Sequence, residues 1–267
     1  MNRPLLATLV LALPLSAGCE PNVPPPNATP QQLTEWDRRM QAVEDAKDAL
    51  PERRPTPGPL APVGDLFRSL GDLASDNTPS RNARRMLNPA DPDERWKGMD
   101  YLSDREWGRR EPYTKYYKRL AVGRPEDGLK ADTDYVVRAK AVRALSASRD
   151  ESVVPTFIKA LGDESDLVRL EAAKALMRVP DESAVQPLLR VVSGPTETRD
   201  VRVAAASALR HYKTLDVARA LVNALDAREF EVAYQARRSL RTLTEKDFRY
   251  DQGAWLGYIT GPEKPFG

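Results

Sequence analysis

Four stretches of this chain can be written beneath one another without a gap: VRAKAVRAL from Val137, VRLEAAKAL from Val168, VRVAAASAL from Val201 and VAYQARRSL from Val232. Each valine is followed four places on by alanine (Ala141, Ala172, Ala205, Ala236). Seven on comes a small residue (Ala144, Ala175, Ala208, Ser239), and eight on leucine (Leu145, Leu176, Leu209, Leu240). Residues at these offsets share one side of an α-helix. The four starts lie 31, 33 and 31 residues apart, which leaves room for one more short helix in each interval. Those helices have their own register. Asp150-Glu151-Ser152 and Asp181-Glu182-Ser183 are the same tripeptide. They precede the apolar runs Val154, Phe157, Ile158, Leu161 and Val185, Leu188, Leu189, Val192. Ala218, Leu221, Val222 and Leu225 form a looser third copy. Aspartate and serine at a helix start accept from unpaired first-turn N–H groups. Pro155 and Pro187 fall in first turns, where a missing N–H costs little. Asp134, Asp166 and Asp200 are expected to cap the valine-led helices in the same way.

A single helix pair cannot cover its own apolar side; stacked pairs can, and the result is a solenoid. The alanines set the spacing, since a larger side chain there would force neighbouring helices apart. The pairs Val137-Arg138, Val168-Arg169 and Val201-Arg202, with the alanines and leucine that follow, resemble the HEAT-like repeat family in the short form also seen in phycobilisome lyases. The resemblance implies an all-α, right-handed α-solenoid and a family made up mostly of scaffolds, so it speaks more to fold than to activity. Upstream, Glu94 to Leu102 fits the same register as a degenerate first repeat, with Arg95 in the arginine place and Gly98 in the alanine place. Downstream, Asp247 to Trp255 resembles a tail found after bacterial HEAT-like arrays, with Phe248, Tyr250 and Trp255 expected to cover the last pair.

The N-terminal region has a different character. Arg3 gives a positive start, Leu5 to Leu15 is largely apolar, and Ser16-Ala17-Gly18 is a small-residue cleavage region: a secretory signal, too short to span a bilayer. Leu15-Ser16-Ala17-Gly18-Cys19 resembles the lipobox of bacterial lipoproteins, which implies acylation of Cys19, the only cysteine in the chain. The alternative is an ordinary signal peptide that leaves Cys19 free. Acyl chains would hold the protein on a membrane, and Glu20 in place of the aspartate associated with inner-membrane retention points to the outer membrane. Pro21 to Asn27 is stiff and core-free, Thr34 to Leu50 has helical spacing of Trp36, Met40, Val43 and Ala46, and Glu52 to Pro59 breaks the chain again. The organisation read from these signals is a signal peptide over 1–18, a proline-rich tether over 19–60, a helical N-terminal cap over 61–125 and the repeat array over 126–267.

A net charge of +2 gives no argument for nucleic acid, and none is expected as a partner. One cysteine and one histidine leave no metal cluster to build, and no metal or other cofactor is expected. No nucleophile elbow, phosphate loop or dinucleotide turn is present, Glu151 and Glu182 recur with the caps, and no catalytic residue is assigned. On these grounds the chain is read as a non-enzyme. His211 is read as a helix-end residue, favourable to a nearby C-terminus when protonated. Arg138, Arg169 and Arg202 form a ladder that either binds an anionic partner or, the favoured reading, pairs with the aspartate caps between repeats. Trp96, Trp107, Tyr113, Tyr116 and Tyr117, interleaved with Arg109 and Arg110, make either a recognition surface or an aromatic cap on the first regular repeat. The inner groove of the array is the second candidate surface. The resulting expectation is a lipid-anchored scaffold of the bacterial cell envelope, facing the periplasm and binding a protein partner. The alternatives are a lyase-like or chromophore-handling enzyme related to the phycobilisome lyases, or a structural envelope or peptidoglycan-associated protein.

Overall fold

The computed structural model describes residues 78–124, 128–262 and 266. Contacts divide the chain into two units, Met1–Ala42 and Val43–Gly267, and every described residue belongs to the second. The signal segment, Cys19, the proline-rich tract and the helix read over 34–50 all lie outside the described residues.

Eleven α-helices follow one another among the described residues: α1 (Pro79–Met86), α2 (Pro92–Ser103), α3 (Tyr113–Val122), α4 (Tyr135–Ser146), α5 (Val154–Ala160), α6 (Asp166–Arg178), α7 (Val185–Ser193), α8 (Arg199–Leu209), α9 (Leu215–Asn223), α10 (Phe230–Thr244) and α11 (Gln252–Thr260). They pair as α1 with α2, α3 with α4, α5 with α6, α7 with α8 and α9 with α10. Within the layer of longer helices, α2, α4, α6, α8 and α10 each pack on the next. In the other layer α3 meets α5, and α9 meets both α7 and α11. An isolated β-bridge, Arg124 to Leu129, is the extent of β pairing among the described residues.

The repeat positions occupy one environment. Val137, Val168 and Val232 are fully buried and Val201 is 1% exposed; all four alanines four places on and all four leucines eight on are fully buried. Ser239, the seven-on residue that is not alanine, donates its hydroxyl to Ala206 O of the preceding long helix at 2.7 Å. The degenerate first repeat is a full pair. At Gly98, in the alanine place of α2, an added Cβ would lie 2.5 Å from Asn82 O and 2.6 Å from Met86 N, so glycine permits the close crossing of α1. The longer interval before Val137 is filled by a 3-10 turn (Glu106–Arg109) and by α3, which falls in the segment read as a cap and serves as the first helix of the α4 pair.

The capping expectation holds for Asp134, which accepts from Val136 N and Val137 N, and for Asp150 and Asp181, which accept from Ser152 N and Ser183 N at short 3-10 turns leading into α5 and α7. It fails for Asp166 and Asp200. These lie inside the first turns of α6 and α8, and Ser165 and Thr198 stand at the cap positions. The cap place is three residues before each repeat valine, whereas Asp166 is two before and Asp200 one before. Their charge instead complements the positive end of the helix dipole. At the far end, Phe248 meets the buried Trp255 edge-on at 4.9 Å, while Tyr250 stays 37% exposed.

Candidate functional site

The arginine that follows three of the repeat valines reaches out of its own helix pair into the next. In α4, Arg138 Nε and Nη2 each donate to the Asp163 carboxylate at 2.9 Å, and Nη1 donates to Asp132 O and Thr133 O. In α6, Arg169 Nε and Nη2 donate to Glu197 at 2.8 and 2.9 Å, and Nη1 to Asp163 O and Glu164 O. In α8, Arg202 Nη1 donates to Glu229 at 2.9 Å. Arg95 of α2 adds a rung: Nη2 donates to Asp132 Oδ1 at 2.9 Å, and Nη1 to Asn88 O and Pro89 O. Its Nε sits 2.7 Å from Asp132 Oδ2, a charge contact without hydrogen-bond alignment. Each arginine thus pairs with an acid in the loop that starts the next long helix. Asp132, Asp163 and Glu197 also accept the N–H of Asp134, Ser165 and Thr198, which fixes those loops in turn.

The partners are not the caps named from the sequence. They are the loop acids one or two residues before the cap in three rungs, and in the fourth Glu229 at the cap position itself. The recurring acid-x-cap spacing of Asp132-Thr133-Asp134 and Asp163-Glu164-Ser165 was the signal that could have found them. The hydrogen bond to Asp163 raises the Arg138 guanidinium above its usual value, with burial opposing. For Glu197, burial pushes the carboxyl up, but bonds from Arg169 and Thr198 outweigh it and hold it below the ordinary range.

The aromatic cluster is a packing element. Tyr113, Tyr116 and Tyr117 are 2%, 2% and 0% exposed, so their rings do not form the recognition surface considered from the sequence. Burial raises the Tyr113 and Tyr117 hydroxyls far above the usual phenol range. Tyr117 donates to Gly108 O at 3.0 Å, and Trp107 tilts against Tyr113 at 5.4 Å. Arg109 donates to Ser103 O and Asp104 O, and exposed Arg110 pairs with Glu106. Trp96 is half-buried beneath Lys140, whose ammonium lies 5.1 Å from the ring centre. His211 is exposed beyond the end of α8; desolvation lowers its pKa, Arg210 lowers it further, and a bond to the backbone of Met177 opposes both. These surroundings disfavour the charged form on which a helix-end role depends.

The long helices also carry apolar groups that their own packing does not absorb. Two places after three of the four repeat valines stand Leu170, Val203 and Tyr234, half-buried or exposed, with Trp96 at the equivalent place in α2; after Val137 the place is taken by the buried Ala139. Two places before it, Tyr135 is 50% and Phe230 66% exposed. Between α6 and α8 this face opens into a shallow groove of about 460 Å³, with Leu167, Leu170 and Val201 among its lining and Asp166, Arg199 and Asp200 at its edge. Sequence reasoning named the groove of the array in general but not these residues, because each reads as an ordinary helix-face position when taken alone.

This architecture is an α-solenoid of helix pairs, and residues 126–199 match the model of the HEAT repeats family. Residues 126–199 therefore match HEAT repeats, and the repeating environments of Val137 to Leu240 carry the same helix-pair pattern beyond the matched segment. No curated protein sequence matches it. Its fold is similar to that of a chain in the solved complex of CpcE and CpcF of phycocyanin lyase from Nostoc sp. PCC7120, with 18% identity and a TM-score of 0.53 over 79% of this chain and 74% of that one. At that identity the likeness is one of fold. It nevertheless overturns the sequence-based exclusion of enzyme activity, because the same architecture serves in a lyase complex. The exclusion rested on missing local motifs, and a site assembled across stacked helices has no contiguous motif to find.

Proposed function

We propose that this chain is a protein-binding scaffold, with the outward face of its long-helix layer as the docking surface. The observation that carries this reading is the division of labour along each long helix. The valine, alanine, leucine and arginine positions are consumed by stacking, while the two-after row is apolar and, apart from the buried Ala139 of α4, partly exposed. Partly exposed apolar groups repeated along one face mark an interaction surface. The HEAT repeats and the likeness to a chain from a two-protein complex support the same reading.

We further propose that the scaffold is held at the bacterial cell envelope through acylated Cys19, on the sequence features of residues 1–20. No helix among the described residues is long and apolar enough to cross a membrane, so an anchor would come from elsewhere in the chain. Fatty-acid labelling of wild type and Cys19→Ser tests this: label and membrane association lost together support the anchor, and unchanged association defeats it.

The second reading is lyase-like, favoured by the likeness to phycocyanin lyase: the same face would hold a phycocyanin-like subunit while a chromophore is attached or removed. Affinity capture from envelope extract with the Glu20–Gly267 form separates the readings. A stoichiometric protein partner supports the scaffold, and a captured chromoprotein or coloured small molecule supports the lyase-like role. Bound glycan and no protein would remove both in favour of a structural envelope role.

A further inference from the structure

The groove between α6 and α8 specifies more than a generic protein surface. Its apolar lining, Leu167 and Leu170, is only half-buried, and beside it on α10 stand the exposed rings of Phe230 and Tyr234, 6.2 Å apart. Covering such groups is favourable by roughly 25 cal/mol per Å² of apolar area removed from water. The rim sets the sign of what can cover them. Asp166 is exposed, and the Asp200 and Glu231 side chains are 62% and 56% exposed. The one arginine at this edge, Arg199, already lies 2.9 Å from Asp200 and 3.3 Å from Glu231, bridging α8 to α10. Three carboxylates against one engaged guanidinium leave the rim negative around an apolar floor. A partner segment with acidic flanks would be repelled, and a neutral one would gain only the apolar contact.

Resting on the scaffold reading, we propose that this groove, extended by Phe230 and Tyr234, docks a partner protein segment that presents an apolar anchor flanked by lysine or arginine. The anchor enters between Leu167 and Leu170, and the flanking cations meet Asp166 and Asp200. This is the helix-in-groove mode of recognition with charge supplying direction and register.

The test uses the full chain and two fluorescent synthetic amphipathic peptides, identical in their leucine face, one flanked by lysine and the other by glutamate. Binding is read by anisotropy at two salt concentrations. The lysine peptide is expected to bind, more weakly as salt rises, and the glutamate peptide about tenfold or more weakly still. Leu170→Ser is expected to cut lysine-peptide affinity about tenfold with an unchanged melting temperature, and Asp166→Lys with Asp200→Lys to reverse the preference. Glu182→Lys, an exposed acid at the start of α7, serves as the control and is expected to change nothing. Equal binding of both peptides, a preference that survives the double charge reversal, or an equal effect of Glu182→Lys overturns the proposal. If the Leu170→Ser chain still captures the same envelope protein as wild type, the groove assignment fails and the scaffold stands. A wild-type chain that captures no protein removes the scaffold reading, and this proposal with it.

Discussion

Arg95 and Asp132 are the most deeply buried pair of the ladder, with side chains only 5% and 3% exposed. Removing one partner of such a pair strands a charge in the interior, which typically costs about 3–5 kcal/mol, whereas replacing both with apolar groups is often nearly neutral. Asp132→Ala is therefore expected to lower unfolding free energy by about 3–5 kcal/mol, and exposed Asp200→Ala by no more than about 0.5 kcal/mol. Arg95→Met combined with Asp132→Leu should recover most of the loss. Urea denaturation decides: additive losses in the double variant contradict a buried, coupled pair. Two tyrosines make a second contrast. The Tyr113 hydroxyl is buried with no hydrogen-bond partner among the described residues, while that of Tyr117 bonds Gly108 O. Tyr113→Phe should be neutral or stabilising, and Tyr117→Phe should cost about 1–2 kcal/mol, since it leaves a buried carbonyl unpaired. Equal effects would mean that the cap is packed differently.

Individual helices are held by what they lack. Ala172 in α6 is fully buried at the four-on position, where added bulk meets the neighbouring helices. Ala172→Leu is expected to cost about 1–3 kcal/mol, more than any exposed substitution in α6, and equal melting temperatures would contradict the packing scheme. At this scale most of the fold was legible in the residues. The 3.6-residue period of Val137 to Leu240 fixed which helices exist and which side is buried, and the repeated Asp-Glu-Ser found the starts of α5 and α7. Arg95 and Gly98 located α2, because their register demanded the same ladder and the same close approach. The misses were ones of local register and neighbourhood. A shift of one residue at Asp166 and of two at Asp200 separates a capping aspartate from a first-turn aspartate. Tyr113, Tyr116 and Tyr117 look like a stacking platform beside their arginines until the turn at Gly108 folds back over them. The groove residues Leu167, Leu170 and Asp200 come from two repeats, and only stacking brings them together.

Across the whole stack the loops are pinned by carboxylates whose pKa values are depressed in the folded state: Asp150 and Asp181 by their serine bonds, Glu197 by Arg169 and Thr198 against burial, and Asp247 to about 2 chiefly by Arg237. A depressed folded pKa means that the unfolded chain takes up protons first as pH falls. The stability they contribute is thus complete above the ordinary carboxylate range and lost progressively as pH drops from there to about 2. Denaturant midpoints should be flat just above that range and fall below it; a midpoint that rises with acid would contradict the stabilising role of these loop contacts. The most direct test of the central claim, that equivalent helix pairs stack in one interchangeable register, is to remove a pair. Asp150-Glu151-Ser152 and Asp181-Glu182-Ser183 are identical and 31 residues apart, so deleting 150–180 joins Arg149 to Asp181 with the local sequence restored. The account predicts that α4 then packs on α8, Arg138 faces Glu197 in place of Asp163, and the shortened chain keeps its helical fraction by circular dichroism with a cooperative, lower-temperature melt. A deletion variant that loses its helical signal and melts without a transition would show that the pairs are not equivalent units, and would contradict it.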